Sequence, residues 1–184
     1  MHQGPARKSG IQTTMRPQTV EPWTAQSPTL YTLTLTLKSP DGATVERVTQ
    51  RVGFRRFAIV DGVFTLNGER LIFRGVNRHE FDARTGRTMS LEDMITDIKA
   101  CKQLNINAIR TSHYPNDTRF LDLCDEYGLY VIDEANLETH GSWCTPGDIP
   151  TPETAIPGSK MEWEDACVEL NRSEERRVGK ECRS

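Results

Sequence analysis

The sequence predicts an α/β fold: the end of a β-sandwich, followed by the first three βα units of a (β/α)8 barrel. Three observations carry the prediction. A strictly alternating stretch at Leu30–Leu37 is followed by a turn and a returning strand. From Leu71 onward, short apolar runs alternate with stretches of helical periodicity in the order β-α-β-α-β. Each of the three apolar runs gives way at its carboxyl end to polar and ionisable residues, which is where parallel sheets place their ligands.

Composition narrows the function classes. A hydrophobic share of 36% and a charged share of 27% over 184 residues fit a folded globular chain. A formal charge of -3 supplies no basic patch for nucleic acid. No apolar run reaches transmembrane length, and the start, Met1 to Pro22, is polar with no signal-peptide core. Five scattered cysteines without a CxxC pair indicate no disulfide framework and fit a reducing compartment.

Residues 1–22 read as an irregular lead-in spaced by Pro17 and Pro22. In residues 23–56, Tyr31, Leu33, Leu35 and Leu37 point one way and Thr32, Thr34 and Thr36 the other, the pattern of a half-buried antiparallel strand. Pro40-Asp41-Gly42 turns the chain, and Val45 to Phe54 returns. A lone hairpin is not stable in water, so this reads as the carboxyl-terminal part of a sandwich. Asp61-Gly62 and Asn67-Gly68 favour the positive backbone angles of tight hairpin turns and predict a small hairpin leading into the next domain, residues 57–171.

There, Leu71-Ile72-Phe73 predicts the first parallel strand. Ser90 and Asp93 form a capping box for a helix with Met94, Ile95, Ile98 and Cys101 on one face. Ile106 to Ile109 is the second strand, Asp117 the cap of a helix carrying Phe120, Leu121, Cys124 and Tyr127, and Gly128 its closing residue. Leu129 to Ile132 is the third strand. No glycine-rich phosphate loop follows any strand, which weighs against a nucleotide-binding Rossmann fold and favours the barrel.

The chemistry-bearing residues cluster after the strands. Glu138 and His140, two apart, leave one side of an extended backbone, and their mixed oxygen and nitrogen donors admit magnesium or manganese. For such a pair in isolation the plainer reading is a polar loop without metal. His79 and His113 lie just past two successive strands, each placed to donate a hydrogen bond to a hydroxyl or to charge developing in a transition state, or to make a structural bond. Arg74 and Arg110 are read as structural partners of strand-end carboxylates such as Asp133 or Glu134. Trp143 is a candidate for stacking on a sugar, whereas Trp23 is read as packing.

Three segments, Arg74-Gly75-Val76-Asn77-Arg78-His79-Glu80, Ile109 to Asn116 and Asp133 to Gly141, resemble signature segments of glycoside hydrolase family 2, in the order and spacing found there. Val52-Gly53-Phe54-Arg55 resembles that family's junction between an immunoglobulin-like domain and a TIM barrel. The likeness is greatest to the large bacterial β-galactosidases. It implies that Glu138 and His140 hold an active-site magnesium and that His79 and His113 contact galactosyl hydroxyls and stabilise the transition state. It further implies retaining hydrolysis of β-galactosides such as lactose, through an acid/base carboxylic acid and a nucleophilic carboxylate. A cytoplasmic, homo-oligomeric full-length protein is the corresponding expectation, and β-glucuronidase and β-mannosidase are the alternatives within the family. The alternative outside enzymes is a non-catalytic carbohydrate-binding or complementing piece.

The family's acid/base glutamate follows an Asn-Glu pair, and no such pair occurs in this sequence. Asp133 and Glu134 do not replace it, since by the resemblance they end the third strand. Residues 172–184 read either as a charged helix end or as unrelated sequence joined at a truncation, the second being preferred because the family-like pattern breaks off mid-helix. The expectation is therefore a β-galactosidase fragment that is inactive alone.

Overall fold

Threonine and leucine alternate along β1 (Tyr31–Lys38), and β2 (Thr44–Val52) returns antiparallel beside it, with Tyr31 opposite Val52 and Leu35 opposite Val48. The Asp41 carboxylate closes the intervening turn by accepting from Ser39 Oγ and Ala43 N, and Gly42 takes φ +87°. The structure, a computed structural model, describes residues 19–138, 149, 151 and 161–178. The two turn dipeptides build more than the single hairpin predicted. With Asp61, Gly62, Asn67 and Gly68 all at positive φ, they link β3 (Phe57–Val60), β4 (Val63–Leu66) and β5 (Glu69–Arg70) into a three-stranded antiparallel meander.

The barrel portion follows the predicted order. Strands β6 (Gly75–Arg78), β7 (Ala108–Thr111) and β8 (Tyr130–Ile132) form one parallel sheet in sequence order, with α1 (Leu91–Gln103) and α2 (Thr118–Tyr127) between them. Ser90 Oγ accepts from Asp93 N at 3.1 Å while the Asp93 carboxylate accepts from Ser90 N at 3.2 Å, completing the capping box. Asp117 caps α2 by accepting from Arg119 N at 2.8 Å, and Gly128 ends it at φ +76°. A later helix, α3 (Glu164–Val178), follows a single 3-10 turn at Met161–Trp163.

One correction concerns where the parallel strands lie. The apolar run Leu71–Phe73 precedes the first strand instead of forming it, and β6 is the polar Gly75–Arg78. Gly75 pairs with Ala108 at a separation that leaves an added Cβ only 3.3 Å from Ala108 Cβ, so a side chain there would crowd the neighbouring strand where the ladder begins. Asn107, just before β7, bonds the Arg74 amide through Oδ1 at 2.7 Å and the Ile72 carbonyl through Nδ2 at 2.9 Å, tying down the stretch ahead of the strand. β7 likewise starts two residues after the predicted Ile106.

Met94 and Ile98 from α1, Phe120, Leu123 and Cys124 from α2, and Ile109 and Leu129 from the sheet side make the buried core, joined by Met89. Each such side chain contributes roughly 1.5–3 kcal/mol of burial. Trp23, fully buried, pins the lead-in to this core: its indole N–H donates to the Asp125 carbonyl at 2.8 Å and its ring meets Tyr130 edge-on at 5.6 Å. Its predicted packing role is what the structure shows. By contrast, Leu35, Leu37 and Val48 on the hairpin and Phe57, Ile59 and Val60 on the meander remain exposed.

Candidate active site

A parallel strand presents alternate residues to opposite faces, and the register sorts this sheet accordingly. Ile109 and Thr111 on β7, aligned with Val76 and Arg78 on β6, share one face. Ile109, Thr111 and Arg78 are buried, against α1 and α2. Asn77, Arg110 and Ile132 are aligned on the other. That second face is open: Asn77 is exposed and Ile132 is 57% exposed. The strands' carboxyl ends deliver the polar residues to the rim of this open face.

His79 directly follows β6 and His113 lies two residues beyond β7, and their imidazoles meet edge-on with centroids 5.7 Å apart. Tyr114 flanks His79 at 6.1 Å. His113 is held from behind by carboxylates: its Nδ1 lies 3.0 Å from Glu134 Oε2 and 3.4 Å from Glu138 Oε2. Glu134 Oε1 in turn accepts from Arg110 Nε at 2.5 Å, and Arg110 Nη2 lies 3.3 Å from His113 Nδ1. The peptide between Ser112 and His113 is cis. Glu138 carries a hard oxygen donor at the rim, with its side chain 40% exposed.

Below the rim the helix-facing residues lock the strand ends. Arg78, 8% exposed, donates to Asp97 at 2.9 Å and to Asn116 Oδ1 at 2.6 Å, and its guanidinium lies 3.9 Å from the Phe120 ring centroid. Thr111 Oγ1 donates to Asp133 Oδ1 and accepts from the Glu134 amide, each at 2.9 Å. This pair of bonds fixes where Glu134 leaves β8. Asp133 Oδ2 is buried and has no hydrogen-bond partner among the described residues. Glu80 accepts from the Asp117 amide with both oxygens, at 3.0 and 3.1 Å, anchoring the loop after β6 to the start of α2.

Of the predicted site residues, His79, His113 and Glu138 are thus brought to one rim, while His140 and Trp143 lie outside the described residues. Arg110 pairs with Glu134 as predicted. Arg74 does not pair with a strand-end carboxylate: it precedes β6, at the opposite end of the sheet, and its Nε donates to the Asn105 carbonyl at 3.4 Å. Glu134's contact with His113, the burial of Arg78 and the rim position of Asn77 went unread in the sequence. The Thr111-to-Asp133 link could not be found without the register, although the period-two alternation does place Arg78 and Thr111 on one side. No group of three His, Cys, Asp or Glu side chains that could hold a metal is formed among the described residues.

Chemically, the rim offers two imidazoles, an exposed carboxylate and an exposed amide facing open space, backed by an Arg–Glu–His chain. Such a set forms several directional hydrogen bonds to a small polyhydroxylated ligand.

Comparison with known proteins points the same way. Residues 57–178 match a family model described as glycosyl hydrolases family 2, TIM barrel domain, and residues 3–55 match a second described as glycosyl hydrolases family 2. The chain is 56% identical over 158 residues to "Beta-galactosidase BgaC" of Bifidobacterium adolescentis, covering 86% of this chain and 15% of that protein. It is 59% identical over 150 residues to a β-galactosidase of Streptococcus thermophilus, covering 82% of this chain and 14% of that protein. The chain thus spans about one-seventh of the length of these curated relatives. Among solved structures it is similar to a β-galacturonidase of Eisenbergiella tayi bound to galacturonate, at 39% identity and a TM-score of 0.62 over 65% of this chain and 21% of that one. It is also similar to a Bifidobacterium dentium β-glucuronidase complexed with coumarin-3-O-glucuronide, at 31% identity and a TM-score of 0.60 over 62% of this chain and 19% of that one.

Proposed function

Because this chain belongs to family 2 of the glycosyl hydrolases, we propose that it supplies the hydroxyl-binding and metal-binding side of a β-galactosidase site, in a protein that hydrolyses terminal β-galactosides with retention. The observation that carries this reading is the convergence of His79, His113 and Glu138 on one open rim at the strands' carboxyl ends. The preference for a galactoside over a glucuronide follows the higher identity to the β-galactosidases, 56% and 59%, than to the uronidase structures, 39% and 31%.

In this reading His79 and His113 bind sugar hydroxyls, and those bonds tighten as the ring flattens toward the oxocarbenium-like transition state. Trp143 stacks on the sugar ring. Glu138 and His140 hold magnesium. The donor set fits that ion: one exposed carboxylate and one imidazole leave room for the several waters that magnesium keeps. Bound there, magnesium supplies fixed positive charge that orders neighbouring carboxylates and water. Glu134 is unsuited to act as the acid/base group, since both of its oxygens are engaged, by Arg110 and by His113. The acid/base and nucleophilic carboxylates come from elsewhere in the whole enzyme. We further place that enzyme in the cytoplasm as a homo-oligomer. The free thiols of Cys101, Cys124 and Cys167 accord with a reducing compartment.

The apolar faces left exposed on the hairpin and the meander favour a second reading, a complementing piece that works only beside a partner chain. A chimera tests the first reading: this chain replaces the matched 150 residues of the Streptococcus thermophilus β-galactosidase. The expected result is hydrolysis of a chromogenic β-galactoside that falls about a hundredfold in kcat/KM with His113→Ala, the scale of a lost transition-state hydrogen bond. An active chimera indifferent to His113→Ala overturns the reading.

A further inference from the structure

The structure assigns a positioning role to Glu134: its carboxylate holds His113 in the tautomer with hydrogen on Nδ1, so that Nε2 meets a sugar hydroxyl as an acceptor. The catalytic meaning of this role rests on His113 being a sugar contact, whereas the tautomer itself does not. Glu134 Oε2 lies 3.0 Å from His113 Nδ1, and an ionised carboxylate only accepts, so a contact of that length requires a hydrogen on the nitrogen. The competing arrangement has a bare Nδ1 accepting from Arg110 Nη2 at 3.3 Å. It would set the Nδ1 lone pair against the anionic Glu134 Oε2 at 3.0 Å, with no proton between. The shorter, charge-assisted contact prevails, and Arg110 keeps its own partner, since its Nε already donates to Glu134 Oε1.

A neutral imidazole has one donor nitrogen and one acceptor, so hydrogen on Nδ1 makes Nε2 the acceptor. No described residue bonds Nε2, and the ring's neighbour is the His79 edge. Neutral His113 therefore takes the hydrogen of a sugar hydroxyl and leaves that hydroxyl's lone pairs for a second donor or a cation. This reverses the direction of the hydrogen bond predicted from the sequence. Thr111, by fixing the Glu134 amide at 2.9 Å, sets the reach of the carboxylate.

Glu134→Gln tests the assignment with almost no change of shape. The amide has one acceptor, which the charged Arg110 Nε claims, leaving its NH2 toward His113 Nδ1 and driving the ring hydrogen to Nε2. Long-range proton–nitrogen correlation of the 15N-labelled chain reads the tautomer directly, with His113→Ala identifying the resonance. The expected result is Nδ1–H in the parent chain and Nε2–H in E134Q, with the remaining amide spectrum unchanged. A parent His113 protonated on Nε2, or a tautomer unmoved by E134Q, overturns the assignment. A second measurement works at high dilution: diethyl pyrocarbonate attacks the bare ring nitrogen, and peptide mass spectrometry should show His113 modified up to about tenfold more slowly in E134Q, the scale of one net hydrogen bond, with His79 unchanged. Equal rates overturn it. In the chimera, E134Q should lower kcat/KM about 10–100-fold, as loss of a supporting contact behind a functional histidine does. An active chimera indifferent to E134Q removes the positioning role. A chimera without activity, beside a tautomer switch in the chain, strikes the β-galactosidase reading alone.

Discussion

Gly128 ends α2 in the left-handed region, at φ +76°, and faces the lead-in so closely that an added Cβ would lie 2.3 Å from the Ala25 carbonyl oxygen. A single methyl group there meets two separate costs. Left-handed backbone costs a non-glycine residue roughly 1–2 kcal/mol. The contact is relieved only by moving Ala25, whose carbonyl accepts Lys102 Nζ at 2.9 Å and which sits two residues after the fully buried Trp23. Losing that bond costs about 1 kcal/mol, and partly unseating the indole costs about 1 kcal/mol more. Gly128→Ala is therefore expected to lower the unfolding free energy by about 3 kcal/mol, a large part of the roughly 5–15 kcal/mol a domain has. Gly128→Asn separates the two costs, because asparagine tolerates left-handed backbone yet brings the same Cβ. Urea unfolding followed by tryptophan fluorescence gives both values from the shift in midpoint at constant slope. Asparagine, spared most of the backbone cost, should still lose about 2 kcal/mol. A Gly128→Asn chain at parent stability refutes the close approach, and an unaffected Gly128→Ala refutes the docking of the lead-in on the barrel.

Three further outcomes are expected. Arg78→Met should destabilise by about 2–4 kcal/mol in the same urea assay, since it withdraws the guanidinium from Asp97 and from the buried Asn116 Oδ1. A change under about 0.5 kcal/mol would mean the buried bonds contribute nothing net. Burial pushes the Cys124 thiol well above its ordinary value of 9.0, with Asp125 adding to the shift. The folded value is the raised one, so stability is full below pH 9.0 and declines above it as the unfolded thiol ionises first, by about 1.4 kcal/mol per pH unit. Cys124→Ala should flatten that alkaline slope in pH-dependent urea titrations, and an unchanged slope contradicts the shift. Magnesium should bind this chain weakly, because two protein ligands hold a strongly hydrated ion poorly. Calorimetry showing tight, stoichiometric binding would contradict a site with only two protein ligands.

Local signals in the sequence translated directly into structure. The Ser90–Asp93 box, the Asp117 cap, Gly128 and the two turn dipeptides each act within a few residues, so their geometry is readable without knowing the fold. Strand position was less legible. Leu71–Phe73 is apolar but lies ahead of the sheet, whereas β6 carries the polar Asn77, on the open face, and Arg78, buried and bonded to Asp97 and Asn116. Hydrophobic runs cannot mark such a strand. The candidate residues His79, His113 and Glu138 were legible by their place after the strands, and the structure brings them to one rim. What stands behind them was not: Glu134 reaches His113 across 21 residues and Thr111 reaches Asp133 across 22, and only the parallel register brings those pairs together.

The central claim is that these strand ends form a working part of a β-galactosidase site. Its most direct test is kcat/KM of the chimera on a β-galactoside, compared with the unaltered Streptococcus thermophilus host. With His79, His113 and Glu138 gathered on one rim, the chimera should retain activity within about tenfold of the host, the spread that one misplaced contact of about 1.4 kcal/mol produces. A chimera that folds and assembles like the host but falls more than about a thousandfold short would contradict the claim.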